Sequence, residues 1–346
     1  MQIVIYIIVL LLVLAVAIYF YFFYPRQRMP IGEPVEVCTI EPQKYHNDCL
    51  HPCIRYDTHS GKYYMAQSPY YGADNNMENP MFYVSDNYME WKTGILIADA
   101  PDKGFNSDPN ILLTDLGKVC FVWRECKSSE CAQNGGNRMV VGGFLENGRL
   151  KRKLIYAINS WEQGDHIQCP IIMEHKGQYY IYAACYQYEP KRRNVGVAIW
   201  RGTSLETPDF ELLETIPFRS VYTADRMAQV RLFRRLWYIP KPLRHDMWHF
   251  DLFEYKDKLY MVSVSERGDN IMLSVAEDWM HFKTIRKPLV NNHYTQNYCG
   301  YRQYYYKPTA FVKDDTLHVF YTANAKDDSS RNQLYHTSVL ATRVLK

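Results

Sequence analysis

One pattern that returns five times along the chain constrains its fold more than any other feature. A dipeptide, X-Pro in four cases, runs into an apolar strand; a polar turn follows, and a second apolar strand runs back. In the copy from Asn106 to Glu125, Asp108-Pro109 leads into Ile111-Leu112-Leu113, Thr114-Asp115-Leu116-Gly117 makes the turn, and Val119 to Trp123 returns. This is the signature of a β-hairpin. The other copies open at His51-Pro52, Cys169-Pro170, His249-Phe250 and Lys307-Pro308, so the leading positions are spaced by 57, 61, 80 and 58 residues. An all-β unit repeated at this length cannot bury its apolar face alone and stacks on its neighbours as blades or arrays.

Each unit continues past its hairpin. Met81 to Ser85 is followed by a polar turn and Trp91, and Ile271 to Val275 by a matching turn and Phe282; the third unit has Asn194 to Ile199 with Phe210, the fifth Asn332 to Val339. A third and fourth strand ending on an aromatic plug is how a four-stranded blade packs on the next one. The pattern predicts an all-β, five-bladed propeller over residues 29–346, with almost no helix inside it. Ile216 to Asp246, rich in Arg, Pro and aromatics, reads as an insertion over one face. The nine cysteines are an odd set. Cys53, Cys120 and Cys185 lie in apolar strand runs and read as buried thiols, whereas Cys126 and Cys131 are spaced to close a small loop.

Residues 1–28 are of another kind. Ile3 to Tyr24 is an apolar run that spans about 33 Å as a helix, the thickness of a bilayer core, and it ends in aromatics followed by Arg26 and Arg28. It has neither the basic start nor the small-residue cleavage site of a secretory signal. A single-pass N-terminal membrane anchor is the expectation. Its orientation stays open: the positive-inside rule places the propeller in the cytoplasm, whereas a cell-surface glycan as substrate would place it outside.

Net charge is +3 with both signs interspersed, so the chain offers no nucleic-acid-binding face. Its thirty tyrosines suit sheets and polar clefts.

The combination His51-Pro52, Tyr64-Met65-Ala66, Glu78-Asn79-Pro80, Ser107-Asp108-Pro109 and Trp248-His249-Phe250-Asp251 resembles a bacterial branch of the five-bladed glycosidases of glycoside hydrolase family 43, the arabinanase and β-xylosidase group. The resemblance covers everything after the anchor. It implies an active-site funnel on the axis, with an aspartate base in the first blade, a second aspartate in the third and a glutamate acid in the fourth. The matching positions in this chain lie near His51, Cys169 and His249, none of them a carboxylate; Asp108, in the second blade, is the one acid at an inner-strand start.

Strand geometry supplies replacements. If the first strand of a blade starts at the funnel, the second ends there and the third starts there. That brings Glu125, Glu266 and Glu78 to the same rim, and Asp251 shares a strand face with His249. The expected catalytic set is Asp108, Glu266, Asp251 and His249, and the expected substrate-binding set is His51, Glu78, Glu125, Trp248 and Arg302. His51, Asp108, Cys169 and His249 are all metal-ligand residue types, but their spacing is far from any compact metal motif, so no metal and no cofactor are expected. The expected function is a membrane-anchored O-glycosyl hydrolase acting on an oligosaccharide or polysaccharide of the cell envelope or capsule. A non-catalytic glycan-binding propeller and a sugar-transferring relative are the alternatives.

Overall fold

The computed structural model describes residues 2–22, 31–39, 48–92, 94–98, 104–114, 118–126, 137–146, 149–159, 165–187, 193–205, 209–217, 247–265, 268, 270–285 and 288–345. Five antiparallel sheets follow one another. The first blade is Leu50–Asp57, Lys62–Ser68, Met81–Ser85 and Ile95–Leu96. The second is Phe105–Leu113, Val119–Cys126, Asn137–Glu146 and Arg149–Asn159, and the third Asp165–His175, Gln178–Gln187, Arg193–Gly202 and Glu211–Pro217. The fourth has Met247–Tyr255, Lys258–Ser265, Asn270–Ala276 and Lys283–Thr284, with Val290–Asn291 added to its third strand. The fifth has Tyr305–Lys313, Thr316–Asn324 and Asn332–Leu340, and takes its outer strand, Val35–Glu36, from the start of the chain. First strands touch in the order one to two to three to four to five and back to one, which closes the ring.

The hairpin turns form where the pattern puts them. Lys176-Gly177, Lys256-Asp257 and Asp314-Asp315 each hold two successive residues at positive φ, the conformation that matches the twist of a two-residue hairpin. Five apolar clusters fill the five gaps between neighbouring blades. Trp91 packs with Phe311 and Phe320 of the fifth blade, and Phe282 with Tyr182 of the third. The aromatic plugs therefore do bridge blades, and full burial of such a side chain is worth about 1.5–3 kcal/mol.

Two features depart from the expectation. Asn292–Cys299 is a helix ahead of the fifth blade, built from residues of low helix propensity with no apolar stripe, so nothing in the sequence marks it. It is useful to the closure: the Tyr294 hydroxyl donates to the Ile31 carbonyl at 3.2 Å, and Ile31 is buried between the fourth and fifth blades. Secondly, the N-terminal segment is a helix over Gln2–Phe22 whose side chains, described as far as Ile18, are exposed almost throughout. Among the described residues no helix is long and apolar enough to cross a membrane. Cys131 and the greater part of the insertion, 218–246, lie outside the described residues. Cys53 and Cys120 are buried free thiols, and Cys126 and Cys185 are buried as well.

Candidate functional site

All five first strands break register at the same place, where the leading dipeptide enters the sheet: between Leu50 and Cys53, Ser107 and Asn110, Gln168 and Ile171, Met247 and His249, and Tyr305 and Pro308. A bulge re-aims a side chain. In three blades the residue ahead of proline is also left-handed: His51, Asp108 and Cys169 have φ of 53°, 52° and 52°. Each costs on the order of 1–3 kcal/mol that the surrounding sheet must hold. This strain lies at the residues that line one end of the axis.

At that end the side chains of three blades converge on Asp108, which is fully buried. Its Oδ1 is 3.3 Å from His51 Nε2 and 3.5 Å from His249 Nδ1. Its Oδ2 is 3.0 Å from Arg124 Nε and accepts the Cys169 backbone N–H at 3.3 Å. On the far side of the His51 ring, Nδ1 is 3.3 Å from Glu78 Oε1 and 3.3 Å from Ser107 Oγ, and the Ser107 hydroxyl donates to Glu78. Tyr306 closes the group, its ring 5.1 Å from that of His51 and 4.7 Å from that of His249. Burial pushes the Asp108 carboxyl up, but the charges of His51, Arg124, His249 and Lys307 outweigh it and hold the carboxyl far below the usual carboxylate range. Burial holds the His249 imidazole well below its ordinary value, against the pull of Asp108. The site thus presents a fixed anion beside two imidazoles.

One layer further down the axis lie residues two positions on. Here the structure corrects the reading of Asp251 as a catalytic acid. Its carboxylate takes two hydrogen bonds from Arg55, at 2.7 and 2.8 Å, one from Asn110 Nδ2 at 3.0 Å and one from the Thr309 hydroxyl at 2.5 Å. Burial raises this group, and Arg55, Lys307 and Thr309 outweigh it, so it stays ionised and saturated. It ties four blades together and is closed to a substrate. His249 and Asp251 do share a strand face, but on different layers.

Glu125 is also redirected. It lies opposite Asn106 and takes a hydrogen bond from Arg138 Nε at 2.6 Å, while Arg124, one residue earlier, points to the axis. The predicted rim position was right for the strand end and wrong by one residue, which in a strand is the opposite face. Arg302 is exposed, its guanidinium 5.4 Å from the Tyr304 ring centre. Glu266 lies outside the described residues, as does the side chain of Trp248, whose backbone sits in the Met247–Tyr255 strand. Cys169 contributes its N–H to Asp108 but turns its thiol to the Phe250 carbonyl, 3.0 Å away.

Sequence reasoning missed Arg124, Ser107, Tyr306 and Lys307. Lys307 was findable, since it leads the fifth repeat as His51 leads the first; it is fully buried and its Nζ donates to the Pro109 carbonyl at 3.1 Å. Among the described residues, His51, Asp108 and His249 form the group whose ligand-type atoms all lie within 4.8 Å of one another.

No family model matches the chain, and no curated protein is similar to it in sequence. Solved structures are similar in fold. An N-acetylgalactosamine deacetylase from F. plautii, in complex with blood group B trisaccharide, is 13% identical at a TM-score of 0.56, over 86% of this chain and 91% of the other. The RS223 β-xylosidase is 12% identical at 0.57, over 88% and 94%. A family 43 β-xylosidase/α-arabinofuranosidase from a compost microbial metagenome, in complex with xylotriose, is 13% identical at 0.54, over 84% and 91%. The five-bladed outline is shared with these glycan-acting enzymes.

Proposed function

We propose that the chain is a membrane-tethered hydrolase acting on a glycan of cell-envelope or capsule type, with His51, Glu78, Asp108 and His249 as its reacting centre. The observation that carries this reading is the convergence of three strained or bulged strand starts on one buried carboxylate at the mouth of the axis. Strain kept at one end of a symmetric ring belongs to a site rather than to packing.

Asp108 is held ionised, so it can orient an imidazole or a cation and cannot supply a proton. Cleaving a glycosidic bond needs a protonated carboxyl as well as an ionised one. Asp251, ionised and saturated, does not supply it either. The neighbours named above include a deacetylase as well as xylosidases, which supports hydrolytic removal of either an acyl group or a sugar as the reaction class. The tether reading rests on the exposed apolar side chains of the Gln2–Phe22 helix. A surface glycan as substrate favours the propeller lying outside the membrane.

The test is full-length protein in detergent incubated with acylated and unacylated glycans between about pH 4.5 and 8, with released sugar and released acid both measured. Release of either that Asp108→Asn abolishes supports the reading. Binding of a glycan with no release of sugar or acid favours the non-catalytic module, a reading to which the neutralised Asp251 and Glu125 lend weight.

A further inference from the structure

We propose that His51 Nε2, Asp108 Oδ1 and His249 Nδ1 bind one divalent transition metal ion of the zinc class at the mouth of the propeller axis. This deepens the hydrolase reading, on which it rests for its chemistry but not for its geometry.

A neutral imidazole donates from one nitrogen and accepts at the other. His51 Nδ1 faces a carboxylate, Glu78 Oε1 at 3.3 Å, and in the tautomer that donates to it Nε2 carries a lone pair. Nε2 in turn faces a second carboxylate oxygen, Asp108 Oδ1, at 3.3 Å. In that tautomer two acceptors face each other in a buried site, and a cation between them removes the repulsion. Neither His51 Nε2 nor Asp108 Oδ1 has a hydrogen-bond partner among the described residues, and the two side chains are 3% and 0% exposed.

The spacing suits an ion. Zinc bound to nitrogen and oxygen at about 2.0–2.2 Å in a tetrahedron holds neighbouring ligand atoms about 3.3–3.6 Å apart. The two edges that meet at Asp108 Oδ1 measure 3.3 and 3.5 Å. The edge from His51 to His249 stays within 4.8 Å and closes by a small rotation of the rings, whose centres are 4.8 Å apart.

The surroundings are those of a ligand set. Glu78 and Ser107 fix the tautomer of His51, while Arg124 and the Cys169 N–H hold the other oxygen of Asp108, leaving Oδ1 to act as a single ligand atom. Outer partners of this kind orient metal ligands and raise their basicity. Two imidazoles and one carboxylate with open positions suit a borderline divalent ion better than calcium or magnesium, which take mostly oxygen. Held by these residues, such an ion would supply a water activated at neutral pH as the nucleophile for hydrolysis.

The test is metal binding without substrate. Full-length protein in detergent is stripped with chelator, then titrated with cobalt(II), whose visible bands report ligation by the protein, and with zinc followed by elemental analysis after dialysis. The expected result is one equivalent per chain, lost by about 100-fold or more in affinity in His51→Gln and in His249→Gln, and weakened about 10- to 100-fold in Glu78→Gln, a positioning change. A rise in the wild-type unfolding midpoint on adding zinc, absent in His249→Gln, guards against a variant that merely folds poorly. No bound cobalt, or unchanged stoichiometry and affinity in both histidine variants, overturns the site. Turnover of a glycan by chelator-stripped protein also overturns it while leaving the hydrolase reading intact; metal binding with no turnover does the reverse.

Discussion

Arg55 and Asp251, 196 residues apart in sequence, meet on the propeller axis as a two-pronged ion pair with N–O distances of 2.7 and 2.8 Å. The pair joins the first blade to the fourth across the ring, and Asn110 and Thr309 bring in the second and fifth. It is an axle pin in the position where the glycosidase pattern leads one to look for a catalytic acid.

Removing one partner of such a pair leaves a buried charge uncompensated, which costs roughly 3–5 kcal/mol. Asp251→Ala is therefore expected to lower the urea unfolding midpoint sharply. Replacing both residues in Arg55→Met/Asp251→Leu should restore a good part of the loss. A double-mutant cycle measures the coupling, and strict additivity would sink the assignment.

Asp108→Asn keeps the size and shape of the side chain and removes its charge. It is expected to retain the fold, keep glycan affinity and lower turnover by about 10²- to 10⁴-fold, the range for loss of a group that handles charge at the reacting atoms. Steady-state kinetics separates the two: a change confined to KM would assign Asp108 to binding alone.

His318 Nδ1 and His336 Nε2 lie 3.0 Å apart in the fifth blade, His318 stacked on Phe311 and His336 tilted against Phe320. Burial, then the charge of Lys313, brings His318 down to about 4; burial, then His318, brings His336 down to about 4. In the unfolded chain both titrate near 6.5. Between those values the unfolded chain takes up protons that the folded chain refuses, so stability is full above about pH 6.5 and is lost as pH falls toward 4. The urea midpoint should be lower at pH 5 than at pH 7, and His336→Gln should narrow the gap. An equal gap in the variant would mean that other groups carry it.

A chain beginning at Ile31 should fold without the N-terminal helix, since the five blade interfaces are complete from that residue on. A chain beginning at Val37 loses the burial of Ile31 and the outer strand Val35–Glu36. Its thermal midpoint should fall by on the order of 5 °C. Differential scanning calorimetry on the two proteins compares them directly; identical midpoints would remove the closing strand from the account of stability.

Much of the fold could be read in advance because its signals are local: alternation of apolar residues, turn chemistry and a repeat period all sit within a few residues of one another. The leading residues of the repeats, His51, Asp108 and His249, were named for the same reason and do converge. What escaped was set by register. Arg124 rather than its neighbour Glu125 reaches the axis, since successive residues of a strand face opposite ways and the strand end alone does not say which one turns inward. Asp251 was misread because its partners, Arg55, Asn110 and Thr309, come from three other blades, a long-range relation to which local pattern is blind. The Asn292–Cys299 helix owes its form to its tertiary neighbours and not to its own residues.

The closing of the fifth blade by the beginning of the chain sets a timetable for synthesis. Gly32 accepts its hydrogen bond from Thr337, 305 positions later. At about 5–20 residues per second, the ribosome takes roughly 15–60 s to make the intervening chain. The first segment of the propeller to emerge is thus among the last to find its partner, and through that interval four blades can assemble while the ring stays open. The protein's most exposed moment in the cell comes at its birth, when a two-residue strand waits for the far end of its own polypeptide.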